Sequence, residues 1–330
     1  MKKALLLTLV LLVGFSLSSV FAGGAEEEVL DVEAVQGPQT VEGVVDIDYS
    51  GWERGRKGGR FIRAALSDPR TFNGVVAAET STTDVTDLLE SGAIRRNQMN
   101  LEFEPAMAER YEVSDDEMSI TVYLQRDLQF SDGEPITAQD FVFTMNHLIL
   151  REDIGSNSRS GYFIAPAPGE PQEPALIELI DDYTYRLTLP TVYAGLVSLA
   201  GIVPYPQHIF ADVIGWDESV GYEYEWEFTT DEDGNRVVSE IKPEGVDYAA
   251  VTSFWGVDTD VTEVVSSGPF VIEDYAPGER IVLGPNPNYW ETDEWGTQLP
   301  YLDEVVMRII PDQDTQLQAF LAGEIDTLRM

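Results

Sequence analysis

Alternating apolar and polar residues predict half-buried strands along much of the chain. In the clearest run, Ile120, Val122 and Leu124 alternate with Thr121 and Tyr123, which gives a strand with one apolar and one polar face. Similar patterns, or short apolar runs bounded by turn residues, predict further strands over residues 60–66, 183–189, 264–271, 280–283 and 305–310, and the start of another at 324–327.

Apolar residues at helical spacing predict three helices between these strands. The first begins near Thr83 or Asp84. The second begins at residues 137–140, which form an acidic variant of the capping box, and runs to about Leu150. The third covers residues 315–322 and ends before a glycine. Because helices and strands are interspersed, the sequence predicts an α/β fold.

The segments between these elements suggest how the chain is organised. Residues 23–57 are rich in Gly, Glu and Asp and are predicted to form an acidic linker, although residues 41–49 could pair as an edge strand. Residues 221–247 carry many acidic side chains around a turn at 233–235, which predicts an exposed hairpin.

The first 22 residues have the pattern of a secretory signal peptide. Lys2 and Lys3 precede an apolar run over residues 4–13, and Val20 and Ala22 occupy the −3 and −1 positions of a cleavage site. Serines then interrupt the apolar run, so a membrane anchor of about 20 apolar residues is the poorer interpretation. The chain has no Cys for lipid attachment. We therefore expect a periplasmic protein that is exported and not lipid-anchored.

Charge and composition exclude several classes of protein. The 330 residues include 59 acidic and 20 basic side chains, for a net charge of −39. Phosphate-bearing partners need a basic face, so neither a nucleic acid nor an anionic membrane surface is an expected partner. The absence of Cys excludes disulfides, thiolate metal sites and thiol nucleophiles. With His only at positions 147 and 208, no metal and no cofactor is expected.

The sequence contains no recognisable catalytic motif. Glycine-rich phosphate loops, zinc-binding H-E-x-x-H and the nucleophile elbow G-x-S-x-G are all missing. Adjacent acids such as Asp115 and Asp116 are best explained as turn residues. Because carboxylates are abundant, one alternative stays open: an exported glycoside hydrolase that uses a carboxylate pair on a sugar.

Several stretches, in order, resemble the ABC-transporter extracellular solute-binding proteins of the peptide- and nickel-binding class. The longest includes the sequence F-S-D-G-E-P-I-T-A-Q-D-F-V at residues 130–142. The resemblance spans roughly residues 58–328. Its stretches are residues 58–61, 68–73, 104–116, 121–142, 267–270, 286–290 and 322–326.

The resemblance implies a fold and a division into domains. The expected fold is an α/β lobe like that of type II periplasmic binding proteins, with a mixed β-sheet, flanking helices and an inserted α+β subdomain. Residues 58–100 and 195–328 would form the first ligand-binding lobe, and residues 101–194 the packed subdomain. The second lobe would be absent, so the chain is expected to be the N-terminal part of a longer protein.

The resemblance also implies a function without catalysis. Such a receptor captures a small-molecule ligand, a peptide or an oligosaccharide, between two lobes and delivers it to ABC permease subunits in the inner membrane. Nickel is the least expected ligand, because this chain has few His and no Cys. We expect the protein to act as a monomer.

Ligand contacts are carried over from the family only by position. The loop before the first helix faces the ligand backbone in oligopeptide-binding relatives, and an aromatic residue lies near the ligand. A Ser-Gly pair is a weaker candidate. The resulting ligand-binding residues are Ser81, Thr82, Thr83, Asp84, Tyr162, Ser267 and Gly268.

Overall fold

The computed structural model of the chain describes residues 40–42, 55–222, 226–232 and 236–328. The predicted signal peptide, most of the predicted linker and the turn at 233–235 lie outside these residues. The described strands are β1 (Thr40–Glu42), β2 (Arg60–Ala65), β3 (Ile94–Arg96), β4 (Phe103–Pro105), β5 (Ala108–Val113), β6 (Ser119–Leu124), β7 (Phe163–Ile164), β8 (Glu173–Pro174), β9 (Leu176–Asp181), β10 (Thr184–Thr188), β11 (Trp226–Thr230), β12 (Arg236–Glu240), β13 (Phe270–Ala276), β14 (Arg280–Pro285) and β15 (Glu304–Ile309). The described α-helices are α1 (Thr80–Leu89), α2 (Ala138–Phe143), α3 (Leu196–Leu199), α4 (Gln207–Ile214) and α5 (Gln313–Leu321).

A four-stranded mixed sheet joins the beginning and the end of the described chain. Its strand order is β13-β14-β15-β2, and only the β15–β2 pair is parallel, with Val306 opposite Ile62. Leu283, Val305 and Met307 from this sheet are buried. Because β15 and β2 run in the same direction, their carboxyl ends meet at one edge of the sheet.

A separate five-stranded antiparallel sheet has the order β1-β5-β6-β10-β9. Its central strand β6 buries Ile120, Val122 and Leu124, as the alternation predicted. Helix α2 packs on this sheet, where the rings of Phe141 and Tyr185 stack with their centroids 5.2 Å apart. The short strand β1 pairs with β5 at the edge of this sheet, so the edge strand predicted over residues 41–49 is present at residues 41 and 42, and residues 43–49 lie outside the described residues.

Helix α2 also connects two hydrophobic cores. Phe141 belongs to the core under the five-stranded sheet, whereas Phe143 belongs to the core that includes β13, β14 and β15. The first turn of α2 has the predicted capping box: the Thr137 N–H donates to the Asp140 carboxylate at 2.9 Å. The two cores agree with the α/β class that the sequence predicted, while the domain bounds 58–100, 101–194 and 195–328 stay a prediction.

The predicted start of the first helix is wrong. Helix α1 begins at Thr80, because the backbone N–H groups of Thr82 and Thr83 both donate to the carbonyl of Glu79. Residues 81–84 are therefore helical and not a loop. The second helix does reach Leu150, but its second half, Thr144–Ile149, is a π-helix. Spacing alone could not separate these two kinds of helix.

One predicted strand begins too early. The prediction for residues 264–271 holds only from Phe270, where β13 begins. Before it, the Ser266 hydroxyl lies 2.6 Å from the Leu89 carbonyl and 2.7 Å from that of Phe270, which holds this segment in an irregular conformation against α1. The predicted hairpin is confirmed by the antiparallel pair β11–β12.

The last described residues run beside β2. Thr327 forms a parallel bridge with Arg63, and the Asp326 N–H donates to the Ile62 carbonyl at 2.7 Å. The predicted strand at 324–327 is therefore present as an isolated bridge. Among the described residues, none of the helices combines the length and the apolar character that crossing a membrane requires.

Candidate functional site

A cleft of about 750 Å³ lies at the edge of the mixed sheet where β2 and β15 end. We call it the β2 cleft, and its walls come from three parts of the fold: the end of β2 and the following loop, the first turns of α1, and the start of α5. Ligand sites commonly have volumes of about 300–1,000 Å³, and in α/β sheets ligands bind beyond the carboxyl ends of the strands. The lining residues are Ala64, Ala65, Leu66, Ser67, Asp68, Arg70, Glu79, Thr80, Ser81, Asp84, Gln313 and Gln316.

The floor of the cleft is main chain that has just left the sheet. Strand β2 stops at Ala65, whose carbonyl accepts the Ile310 N–H at 2.8 Å. The next two residues, Leu66 and Ser67, are exposed. Among the described residues, the N–H groups of Leu66 and Ser67 have no hydrogen-bond acceptor. The cleft therefore presents two main-chain N–H groups, in the bend that follows β2, that no described residue accepts.

Helix α1 forms one wall through its first turns. The N–H groups of a helix's first turn have no acceptor inside the helix. In α1 those of Thr80 and Ser81 also have none elsewhere in the described parts of the chain. The positive end of the α1 dipole thus faces the cleft, where it attracts negative charge.

The acidic residues that line the cleft take part in contacts within the fold. Asp84 forms an ion pair of 2.8 Å with Arg63 on β2. Asp68 accepts hydrogen bonds from the Gly278 N–H at 2.9 Å and from the Tyr275 hydroxyl at 3.2 Å. These contacts hold α1 and the β13–β14 turn beside the loop that follows β2.

Glu79 is the third carboxylate of the lining. The Thr82 hydroxyl donates to it at 2.5 Å, and this hydrogen bond is the main reason why the pKa of Glu79 is lowered. The positive charge of Arg70 lowers the same pKa further. Glu79 is therefore ionised over the whole physiological range of pH.

Helix α5 closes the far side with a buried amide. Gln316 is only 4% exposed, and its Nε2 donates to the Ile310 carbonyl at 2.6 Å. Asp312 caps α5 by accepting the Thr315 N–H at 2.8 Å. The start of α5 is thus fixed against the end of β15, and its polar side chains border the β2 cleft.

The structure places two of the predicted contact residues in this cleft. Ser81 and Asp84 line it, on the first two turns of α1. Thr82 does not line it, because its side chain is buried between Glu79 and the Arg70 backbone, whose N–H it accepts at 3.0 Å. Thr83 is half-buried on another side of the helix.

The other predicted contact residues lie elsewhere. Tyr162 is packed in the core of the five-stranded sheet, where its hydroxyl donates to the Leu199 carbonyl at 3.2 Å and burial raises its pKa to about 12. Ser267 and Gly268 pack under the end of α1, and both donate their N–H to the Leu89 carbonyl, at 3.1 and 2.8 Å. The structure does not bring these three residues to the β2 cleft.

Most of the cleft was not predicted from the sequence. Leu66, Ser67, Asp68 and Arg70 follow the first predicted strand directly, so the rule for carboxyl ends of strands could have identified them. Gln316 could not have been found in this way. It reaches the cleft only because β15 pairs in parallel with β2, about 240 residues apart in sequence.

The two histidines have ordinary structural roles. His147 is buried, with one ring nitrogen 3.0 Å from the Tyr248 hydroxyl and the other 3.1 Å from the Gly221 carbonyl. Burial and the nearby charge of Arg151 lower the pKa of His147 to about 3, so it is neutral. His208 lies 2.8 Å from Asp132 near the surface. No cluster of three metal-binding side chains occurs among the described residues.

Comparison with known proteins identifies the family. The model for bacterial extracellular solute-binding proteins, family 5 (middle region), matches residues 102–330. A probable ABC transporter-binding protein from Deinococcus radiodurans is 29% identical over 275 residues, which are 82% of this chain and 40% of that protein. The dipeptide-binding protein DppE from Bacillus subtilis is 26% identical over 229 residues, 68% of this chain and 34% of that protein.

A solved structure has the same fold. The oligopeptide-binding protein AppA from Bacillus subtilis, in complex with a nonapeptide, superimposes with a TM-score of 0.59 at 21% identity, over 83% of this chain and 44% of that one. This confirms the predicted type II periplasmic-binding-protein-like fold. The chain spans about two-fifths of the length of these relatives.

The matched relatives are binding proteins, so the alternative of an exported glycoside hydrolase gains no support. Members of this family act outside the cytoplasm, as their description states. The family model covers most of the chain, from the residue before β4 to the last residue. The chain therefore belongs to the bacterial extracellular solute-binding proteins of family 5.

Proposed function

We propose that this chain is the N-terminal part of a receptor that captures a peptide and delivers it to the permease of an ABC importer. The unpaired main chain of Leu66 and Ser67 carries this proposal, because an extended peptide binds best where main-chain N–H and C=O groups are available for strand pairing. The relatives named for dipeptide and oligopeptide binding agree with it.

Tight binding of a ligand needs a second lobe. One lobe leaves the ligand exposed on one side, and tight small-molecule sites bury most of the ligand surface. In the full-length receptor, a second lobe closes over the β2 cleft, and closure is favoured only if the ligand contacts both lobes. This chain by itself should therefore bind peptide weakly.

The proposed place of action is the periplasm. Residues 1–22 would direct export and be removed, and no lipid anchor is proposed, because no Cys follows the predicted cleavage site in this chain. It acts as a monomer that docks on the permease subunits in the inner membrane. It carries no cofactor and catalyses no reaction.

Titration of the isotope-labelled chain by NMR tests the proposal. Acetyl-tetra-alanine should give saturable shifts in the amides of Leu66, Ser67 and Ser81, even at millimolar affinity. The same peptide with N-methylated amides should lose most of this binding, because it cannot donate main-chain hydrogen bonds. A tetrasaccharide serves as the competing ligand class. Saturable binding of the saccharide at these amides, or no binding of the peptide, would refute the proposal.

A further inference from the structure

Arg70 is an arginine that lines the β2 cleft. Acidic residues outnumber basic ones 59 to 20, and the described arginines commonly have a carboxylate partner. The paired arginines are Arg60, Arg63, Arg95, Arg110, Arg151, Arg280 and Arg308. Arg70 is exposed in the β2 cleft, and its guanidinium forms no ion pair with any described residue.

The backbone of Arg70 is fixed although its side chain is exposed. Its N–H donates to the buried Thr82 hydroxyl at 3.0 Å, and Thr82 belongs to the first turn of α1. The guanidinium therefore extends from a loop that is tied to this turn. The unpaired N–H groups of Thr80 and Ser81 belong to the same turn and border the same cleft.

Two of the three neighbouring carboxylates have partners other than Arg70. Asp84 pairs with Arg63, and Asp68 accepts from Gly278 and Tyr275. Glu79 attracts Arg70 electrostatically, but it accepts its close hydrogen bond from Thr82. The Arg70 guanidinium and the N–H groups of Thr80 and Ser81 thus form no hydrogen bond with any described residue, although Glu79 offsets part of the positive charge.

We propose that Arg70 is a specificity-determining residue that binds a carboxylate of the ligand, together with the N–H groups of Thr80 and Ser81. This inference rests on the proposed function, since it assigns a ligand chemistry to the β2 cleft. A guanidinium binds a carboxylate through two parallel hydrogen bonds, which an ammonium cannot reproduce. The carboxylate comes either from the C-terminus of a peptide or from an acidic side chain.

Three N-acetylated tripeptides distinguish the two possible sources of the carboxylate. Acetyl-tri-alanine carries only a C-terminal carboxylate, acetyl-Ala-Glu-Ala-amide carries only a side-chain carboxylate, and acetyl-tri-alanine amide carries neither. Each is titrated into the full chain while NMR follows the Arg70 Nε–H and the amides of Thr80 and Ser81. We expect at least one acid to bind about tenfold or more tightly than the amide peptide, with shifts at all three groups.

Variants of the same chain assign the effect to Arg70. Arg70→Gln should abolish the preference for carboxylate-bearing peptides over acetyl-tri-alanine amide. Arg70→Lys should leave only a small part of this preference. Arg186→Gln is the matched control, because this exposed arginine contacts Thr121 in the five-stranded sheet and lines no part of the cleft. A native-like amide spectrum shows that each variant is folded, and Arg70 is exposed, so its replacement leaves the core intact.

The outcomes distinguish this inference from the function on which it rests. Peptides that bind in the cleft with equal affinity as acid and amide, or an acid preference that survives in Arg70→Gln, would overturn the role of Arg70 and leave peptide capture standing. If none of the three peptides gives saturable shifts at the cleft, both the inference and the proposed function fail.

Discussion

The Tyr205 hydroxyl donates a hydrogen bond of 2.7 Å to the Glu90 carboxyl, at the residue that caps the carboxyl end of α1. Burial is the main cause that raises the pKa of Glu90, to about 7, and the nearby charge of Asp87 raises it further. The carboxyl also fits against Gly74, where any Cβ would collide with it. One titratable group thus lies where α1, Tyr205 and the segment that follows β2 meet.

Glu90 should make the protein less stable as the pH rises from about 4.5 to 7. In this range the folded state keeps a proton that the unfolded state has released, because the ordinary pKa is 4.5 and the folded pKa is about 7. The contribution of Glu90 to the free energy of unfolding is complete below pH 4.5 and is lost as the pH passes 7. The total loss is on the order of 3 kcal/mol.

Glu90→Gln tests whether Glu90 causes this loss of stability with rising pH. The variant keeps an acceptor for Tyr205 and has no charge, so it should be as stable as the parent near pH 4.5 and more stable at pH 8. Urea unfolding at both pH values measures the difference. Burial also raises the pKa of Asp140, to about 6. Because Asp140 is present in both proteins, its effect cancels in the difference between their free energies of unfolding. A variant that is less stable than the parent at pH 8 would contradict the prediction.

The buried ion pair between Arg151 and Glu240 should hold the β11–β12 hairpin on the core. The two groups are 3.2 Å apart, and their side chains are 1% and 6% exposed. The Arg151 guanidinium also lies 4.5 Å from the centre of the Tyr248 ring and donates to the Asn146 carbonyl. Removing one partner leaves a buried charge, which typically costs about 3–5 kcal/mol.

A pair of variants separates loss of the ion pair from loss of packing. Glu240→Gln should lower the free energy of unfolding by several kcal/mol and make the hairpin sensitive to protease. The double variant Arg151→Met, Glu240→Leu should recover most of that loss, because no charge is left buried. Equal stability of Glu240→Gln and the parent, measured by urea unfolding, would show that the pair does not anchor the hairpin.

Gly268 should be required for packing at the end of α1. A Cβ at this position would lie 2.5 Å from the carbonyl carbon of Leu89, a backbone atom that cannot move away easily. Gly268→Ala is therefore expected to lower the free energy of unfolding by about 1–3 kcal/mol. Gly161→Ala is the control, because a Cβ there meets nothing within 4 Å. Thermal unfolding that ranks the two variants equally would contradict the expected clash.

The sequence predicted elements wherever a local pattern decides them. The alternation in β6 and the capping box of α2 both appear in the structure, because burial of one face and capping depend on near neighbours. The start of α1 was missed because its first residues, T-S-T-T, have low helix propensity and are held by the Glu79 carbonyl.

The candidate site was less predictable because it is assembled from distant segments. Ser81 and Asp84 were identified through family resemblance, but Arg70 and Gln316 belong to the cleft only through the parallel pairing of β2 with β15. A parallel pair has no turn between its strands to reveal it in the sequence. Ser267 and Gly268 were predicted as ligand contacts because the pair is recognisable in the sequence. In the structure their N–H groups bond to the α1 backbone instead.

Thr82 should stabilise the loop that carries Arg70, although it does not line the β2 cleft. Its buried hydroxyl accepts the Arg70 N–H at 3.0 Å and donates to Glu79 at 2.5 Å, so Thr82→Val leaves both groups without this partner. The loss should be about 1–3 kcal/mol, and the amide of Arg70 should exchange faster with solvent. Thr83→Val is the matched control, because the Thr83 hydroxyl makes only a long contact of 3.4 Å with the Thr80 carbonyl. If the two variants have the same stability and the same Arg70 exchange rate, Thr82 does not position the loop.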